Sequence, residues 1–185
     1  MLSLNESLLP SSGWEKLFVL GGVILLALAG WQVASYSAFQ FHPEWFQRGE
    51  AGRIAGRLQI KRLGLSVAVL NGDDDKSLSL GAGLVTGTSM IGGNGNTVIA
   101  GHRDIAFRAL RNIQAGDIVR IESIEGNHDA KTYSYRVERT RIVNPDDVSV
   151  LASDGQPRLT MITCYPFYYT GDAPKRYIVD ARLVN

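Results

Sequence analysis

The chain contains one cysteine, Cys164, and three histidines, His42, His102 and His128. A thiol attacks a carbonyl well only as its thiolate, so a cysteine nucleophile needs a base or a cation beside it. Acyl transfer also needs a donor for the oxyanion that develops in the transition state. Cys164 ends the apolar stretch Thr160-Met161-Ile162-Thr163-Cys164, and His102 follows directly on another, Thr97-Val98-Ile99-Ala100. Arg176 begins a third, one short loop after the cysteine. Strand ends are where a rigid scaffold presents reactive groups. If these three ends meet at one rim, base, nucleophile and cation converge. The other histidines read as solvated residues, His42 in a polar linker and His128 in the polar loop Glu125-Gly126-Asn127-His128-Asp129.

Positioning those ends requires a small scaffold of short strands. The chain has 185 residues, 45% hydrophobic and 20% charged, with twenty glycines against six prolines, which suits many tight turns. Asp117–Ile124 and Lys131–Val143 alternate apolar and polar residues and read as a hairpin. Leu58–Ile60, Ser66–Leu70, Thr97–Ala100, Leu159–Thr163 and Tyr177–Leu183 complete the pattern. Ser77–Leu80 reads as a short helix capped by Asp75, and Ile105–Ile113 as another with Asp104 at its start. Asp104 has a second reading, as the carboxylate that orients His102. The expectation is a mainly β fold, a closed or nearly closed barrel of seven to eight strands with one or two short helices.

Leu17–Phe41 carries no charge and exceeds the ~20 residues that cross a bilayer as a helix. Trp14 and Trp31 suit its two interfaces. A cleaved signal peptide is the alternative, with Ala34–Ala38 as its small-residue site, but the apolar run is long for that. The division is therefore a tail at 1–16, a transmembrane anchor at 17–39, a juxtamembrane linker at 40–56 and a catalytic domain at 57–185. Orientation cues conflict. Arg48, Arg53, Arg57, Lys61 and Arg62 follow the run, and counted literally they keep the domain cytoplasmic, whereas a lone thiol that does chemistry suits the extracytoplasmic side.

Several classes are excluded or discounted. A net charge of +1, with both signs interleaved, argues against a nucleic-acid partner. Asp73-Asp74-Asp75 lacks the alternating ligands and closing Glu of a calcium loop and reads as a solvated turn, so no metal site and no cofactor are expected. Gly92-Gly93-Asn94-Gly95-Asn96 has no Lys-Ser/Thr continuation and is a turn, not a phosphate cradle.

Three segments, taken in order, resemble the sortase family, with a pattern closest to class D or the proteobacterial type. They are Asn96–Asp104 around the histidine, Thr160–Cys164 as the motif T-L-x-T-C, and Ala173–Val179 as the arginine strand. The resemblance runs from about Leu58 to Val184. Two positions depart from the pattern: Met161 stands for the usual Leu, a volume-conserving swap, and Lys61 stands where relatives often have proline. The resemblance implies a membrane-anchored transpeptidase on the outer side of the cytoplasmic membrane. Its substrate would be an exported protein bearing a C-terminal LPXTG-like signal. Cys164 would cleave the Thr–Gly bond to a thioacyl intermediate, His102 would move the protons, and an amine would accept the acyl group. Arg176 would stabilise the oxyanion or hold the substrate backbone, with Arg103 and Arg108 as rival cations. Thr163 is either a hydrogen-bonding contributor or a plain strand residue. Tyr165, in the Tyr165–Tyr169 loop, either shapes a substrate groove or packs the loop on the barrel. Two rival readings fit the residues less well. An L,D-transpeptidase would have glycine before its cysteine, where this chain has Thr163. A membrane-anchored binding module with an inert cysteine leaves His102 and Arg176 without a role.

Overall fold

A computed structural model describes residues 13–41, 54–124 and 130–184. The chain divides after Phe41 into two compact units. The first is one helix, α1 (Gly13–Phe41). Within it Lys16–Ala34 has a mean hydropathy of 2.2 over 19 residues, and its apolar side chains from Leu17 to Val33 are exposed. Nineteen residues rise about 28 Å, close to the ~30 Å hydrocarbon thickness of a bilayer, so α1 fits a membrane anchor by length and composition. The expected linker at 40–56, with His42, lies mostly outside the described residues.

The second unit is a closed barrel. Its eight strands among the described residues are β1 (Ile54–Ile60), β2 (Leu65–Asn71), β3 (Ala82–Leu84), β4 (Asn96–Gly101), β5 (Ile118–Ser123), β6 (Lys131–Val143), β7 (Arg158–Tyr165) and β8 (Lys175–Leu183). Neighbours run β1-β2-β3-β4-β7-β8-β6-β5, and β5 returns to β1. The expected β5–β6 hairpin is present, with Ile118 opposite Arg136 and Ser123 opposite Lys131. Its loop, with His128, lies outside the described residues. Leu58, Ile60, Val67, Val69, Ile99, Val119, Ile121, Tyr135, Leu159, Met161 and Val179 fill the interior. These are the alternate positions of their strands, as a surface half turned to a core requires.

The structure corrects four local readings. The domain's first strand begins at Ile54, not near Arg57. Asp74 rather than Asp75 caps the short helix α2 (Asp75–Leu80), accepting from the Ser77 N–H at 3.1 Å. Strand β3 was not anticipated, because Ala82-Gly83-Leu84 is too short to show alternation. Its central glycine is needed: a Cβ on Gly83 would lie 2.3 Å from the Gly72 carbonyl oxygen. Ile105–Ile113 is a turn leading into a 3-10 segment, Arg108–Asn112, whose N-cap is Phe107, so Asp104 caps no helix. Phe107, Leu110 and Ile113 stand three apart, and Leu110 N–H to Phe107 O and Ile113 N–H to Leu110 O close three-residue steps. That spacing satisfies a 3-10 turn as well as an α-helix.

Two polar anchors fix the ends of this frame. The Tyr135 hydroxyl, buried in the core, accepts from the Gly92 N–H at 2.9 Å. Arg62 clamps the nearly buried Asp117, at 2.6 Å through Nη2, and also donates to Asn112 O at 2.7 Å. The Arg62 guanidinium, helped by the Gln114 N–H and opposed by burial, holds the Asp117 carboxyl below the ordinary aspartate range. A depressed folded-state pKa stabilises the fold above the unfolded value and loses that stabilisation as pH falls through the folded one. Thermal melts should therefore lose stability as pH drops below about 4. Asp117→Asn should flatten that acid limb while lowering the melting temperature at neutral pH. An unchanged acid limb in the variant would assign it to other carboxylates.

Candidate functional site

The site residues are brought together by strand direction and register. β4 and β7 are parallel neighbours, paired from Asn96 with Arg158 to Ala100 with Ile162. Position 102 follows directly on β4 and Cys164 lies near the end of β7, so both stand at the carboxyl ends of neighbouring parallel strands. The Thr163 hydroxyl seals this end by donating to Gly101 O at 2.7 Å. On the other side of β7, β8 runs antiparallel and pairs Cys164 with Arg176. His102, Cys164 and Arg176 thus occupy three adjacent strand ends on one rim. His102 is exposed, whereas Cys164 and Arg176 are half-buried.

Alternation decides which way the strand residues face. Leu159 and Met161 of β7, and Val179 and Ala181 of β8, point into the core. Cys164, Ile162 and Thr160 therefore face outward, as do Arg176, Ile178 and Asp180. Arg176 is held by its own approach loop, donating through Nη1 to Ala173 O at 3.2 Å and Lys175 O at 3.1 Å. The outer face continues away from the rim to a cleft of about 270 Å³ under the 144–157 connection, lined in part by Asn96, Val150, Arg158, Thr160 and Asp180. Asn96 pins that connection, donating to Val150 O at 3.0 Å and Ala152 O at 3.2 Å. At Asp180 burial works to raise the pKa, but bonds from Arg141 and Arg139 outweigh it and keep the carboxyl below its ordinary range.

The remaining sequence candidates occupy other places. Thr163 points inward, is 2% exposed, and ties the strand of the thiol to the strand before the histidine. Tyr165 is half-buried, stacked on Tyr177 at 6.1 Å and edge-on to Phe167 at 6.2 Å. Phe167 and Tyr177 pack against the core, and Tyr165 joins them through its ring contacts. Arg103 turns to the loop after the cysteine, donating to Tyr169 O at 2.7 Å and Gly171 O at 3.2 Å. Arg108 is exposed on the 3-10 segment. Among the described residues no cluster of His, Cys, Asp or Glu could hold a metal ion.

Sequence reasoning missed Gly101. A Cβ there would lie 2.8 Å from the ring of Phe107, which is fully buried and whose N–H is bonded to His102 O at 2.9 Å. Only a glycine lets the strand end approach Phe107 so closely. Its signal, a glycine immediately before the histidine, was present but has no unique reading without the packing.

The fold and this rim define a closed β-barrel domain that carries a thiol on its outer face between a histidine and an arginine. Comparison with known proteins is consistent in its result. Residues 58–184 match the sortase domain family. Sortase D of Bacillus subtilis (strain 168) is 33% identical over 137 residues, 74% of this chain and 67% of that protein. Sortase A of Listeria monocytogenes is 26% identical over 115 residues, and the match spans 60% of this chain but 49% of that one. Among solved structures, the catalytic domain of B. anthracis SrtD is 36% identical with a TM-score of 0.60, covering 72% of this chain and 89% of that one. The chain belongs to the sortase family of cysteine transpeptidases.

Overpacking at a tight glycine typically costs about 1–3 kcal/mol. Gly101→Ala should fall in that range by urea denaturation and should also slow peptide cleavage, since Phe107 or the strand end before His102 must shift. Destabilisation with undiminished cleavage would show that the strand end absorbs no displacement.

Proposed function

We propose that Cys164 is the nucleophile, His102 the acid and base, and Arg176 the cation of a transpeptidation on an LPXTG-like signal. The Cys164 thiolate attacks the carbonyl of the Thr–Gly bond near the carboxyl end of an exported protein. The carbonyl oxygen becomes an oxyanion beside the Arg176 guanidinium, which can donate hydrogen bonds to it. His102 gives a proton to the departing amine, the C–N bond breaks, and a thioacyl-enzyme remains. A second amine enters, His102 takes its proton, the new C–N bond forms and the C–S bond breaks. The protein substrate is then joined to the acceptor, and the thiol is restored.

The observation that supports this reading is the register, with Arg176 directly opposite Cys164 and position 102 one strand away. The acyl half of the signal lies along the outer face beside the half-buried Ile162, toward the cleft under the 144–157 connection. That half must remain bound after the other leaves, so it needs the longer groove. We also place the domain on the extracytoplasmic side, held by α1 as an uncleaved anchor at 17–39, because that is where exported substrates and acceptor amines meet.

Cys164→Ala should abolish cleavage of an LPXTG-type peptide, and His102→Ala should reduce it by about 10²–10⁴-fold, both with unchanged circular dichroism and melting. Arg176→Ala should cost about 10²–10³-fold, with little recovery in Arg176→Lys. Turnover by the Cys164→Ala protein would sink the assignment. Orientation is checked separately by protease treatment of spheroplasts, where a fully protected domain would contradict the outward placement.

A further inference from the structure

Charge on the barrel is unevenly matched. The whole chain carries a net charge of +1, yet one flank holds cations that its carboxylates do not offset. That flank is formed by β5, β6 and the 3-10 turn Lys61–Leu63. Two hollows adjoin there and share Arg62. One, of about 640 Å³, is lined in part by Arg111, Asn112 and Gln114; the other, of about 280 Å³, in part by Lys61, Asp117 and Arg120. Asp117 is the one carboxylate lining either hollow, and Arg62 already takes it.

Strand geometry extends this strip of charge. Val119 and Ile121 fill the interior, as do Tyr135 and Val137, so Arg120 and Arg136 face outward. Arg120 stands opposite Ser134, two residues from Arg136, which makes the two arginines diagonal neighbours. Lys61, Arg120 and Arg136 are exposed and make no hydrogen bond or ion pair with another described residue. Arg111 lies over the Tyr168 ring at 5.5 Å, a contact that uses the face of its guanidinium and leaves the N–H groups free. The carboxylates of β5 and β6 have cations of their own. Glu122 stands opposite Arg57 in the β1–β5 pairing, and Glu138 is bonded by Arg182 at 3.0 Å.

The uncancelled charge calls for an anion, and the surroundings narrow which. No large apolar side chain is exposed among the residues lining the two hollows, so nothing there can enter a lipid tail or an apolar partner. Contact is therefore electrostatic and made at the level of headgroups. A helix that fits a membrane anchor by length and composition keeps a bilayer within reach of the domain, so even weak contacts to it form at high effective concentration. Anionic headgroups attract each Lys or Arg held near their surface.

We infer that this flank docks on an anionic lipid surface, with phosphate-bearing headgroups seated in the two hollows. A tether limits how far a domain strays from a bilayer without choosing the flank it turns, and several charge contacts on one side make that choice. The strip reaches the 3-10 segment that follows His102, so the docked flank adjoins the rim and sets which way it faces. Docking is independent of the transpeptidase reading and rests on α1 as the anchor.

The test places the full-length protein in nanodiscs of phosphatidylcholine, with or without phosphatidylglycerol, and follows lysine acetylation over time by mass spectrometry. Lys61 reports the strip. Lys131, exposed at the other end of the β5–β6 pairing and opposite Ser123, is the internal reference. With phosphatidylglycerol present, Lys61 should label about fivefold more slowly relative to Lys131. That protection should vanish in about 1 M sodium chloride, where the screening length is about 3 Å. Arg120→Gln combined with Arg136→Gln should remove most of it at an unchanged melting temperature, whereas Arg120→Lys with Arg136→Lys, which keeps both charges, should retain it. Equal labelling ratios in the two kinds of nanodisc would overturn the inference, as would protection that survives in the glutamine variant. Protection of Lys61 by glycerol 3-phosphate in phosphatidylcholine nanodiscs would reveal a site for free phosphate and overturn docking on lipid. Protein that fails to enter nanodiscs overturns the anchor reading instead, and docking falls with it.

Discussion

Parallel pairing of β4 with β7 governs how the rest of the barrel must be built. Parallel neighbours cannot be joined by a tight turn, and here the crossover takes up residues 102–157. That crossover supplies β5 and β6, which close the sheet between β1 and β8. Because the two strands share a direction, their carboxyl ends fall on the same rim. An antiparallel pair in the same register would put His102 and Cys164 at opposite ends of the barrel. The position of the site is a property of topology before it is a property of any side chain.

A second constraint divides labour between the two faces. Inward residues of β4, β7 and β8 fill a packed interior, while of the outward residues Val98, Thr160 and Ile178 are also buried and Ile162 and Cys164 are partly exposed. Thr163 and Cys164 illustrate the division, one buried and bonded to Gly101 O, the other facing outward. Core packing fixes the backbone to within a fraction of an ångström, and reactive groups then inherit that precision without being part of the core. The aromatic trio Tyr165, Phe167 and Tyr177 forms a cluster of mutual ring contacts at the start of the connection that follows the thiol.

Much of this was legible in the residues, and the exceptions have physical causes. Lys131–Val143 was read with its true boundaries because a long alternation has only one register that buries Tyr135 and Val137. Cys164 stood out as the one thiol, and His102 by its place after an apolar strand. Strand β3 was hidden because three residues carry no period, and its need for Gly83 arises from contact with Gly72, eleven positions away. The segment after His102 was misread because apolar residues three apart fit two helix types equally, and only the tertiary fit of Phe107 decides between them. Arg103 was seen as a rival cation. Its bonds to Tyr169 and Gly171 lie across more than sixty positions of sequence and leave no local trace.

The separation of position 102 from position 164 along the chain has a consequence for the protein's life before it is folded. Contacts between residues so far apart form late, because the loop entropy must be spent before they stabilise anything. An unfolded chain therefore carries a thiol with no imidazole beside it. Under the proposed assignment, the thiol meets its histidine only once β4 and β7 have paired across that long crossover, so folding itself times the assembly of the site.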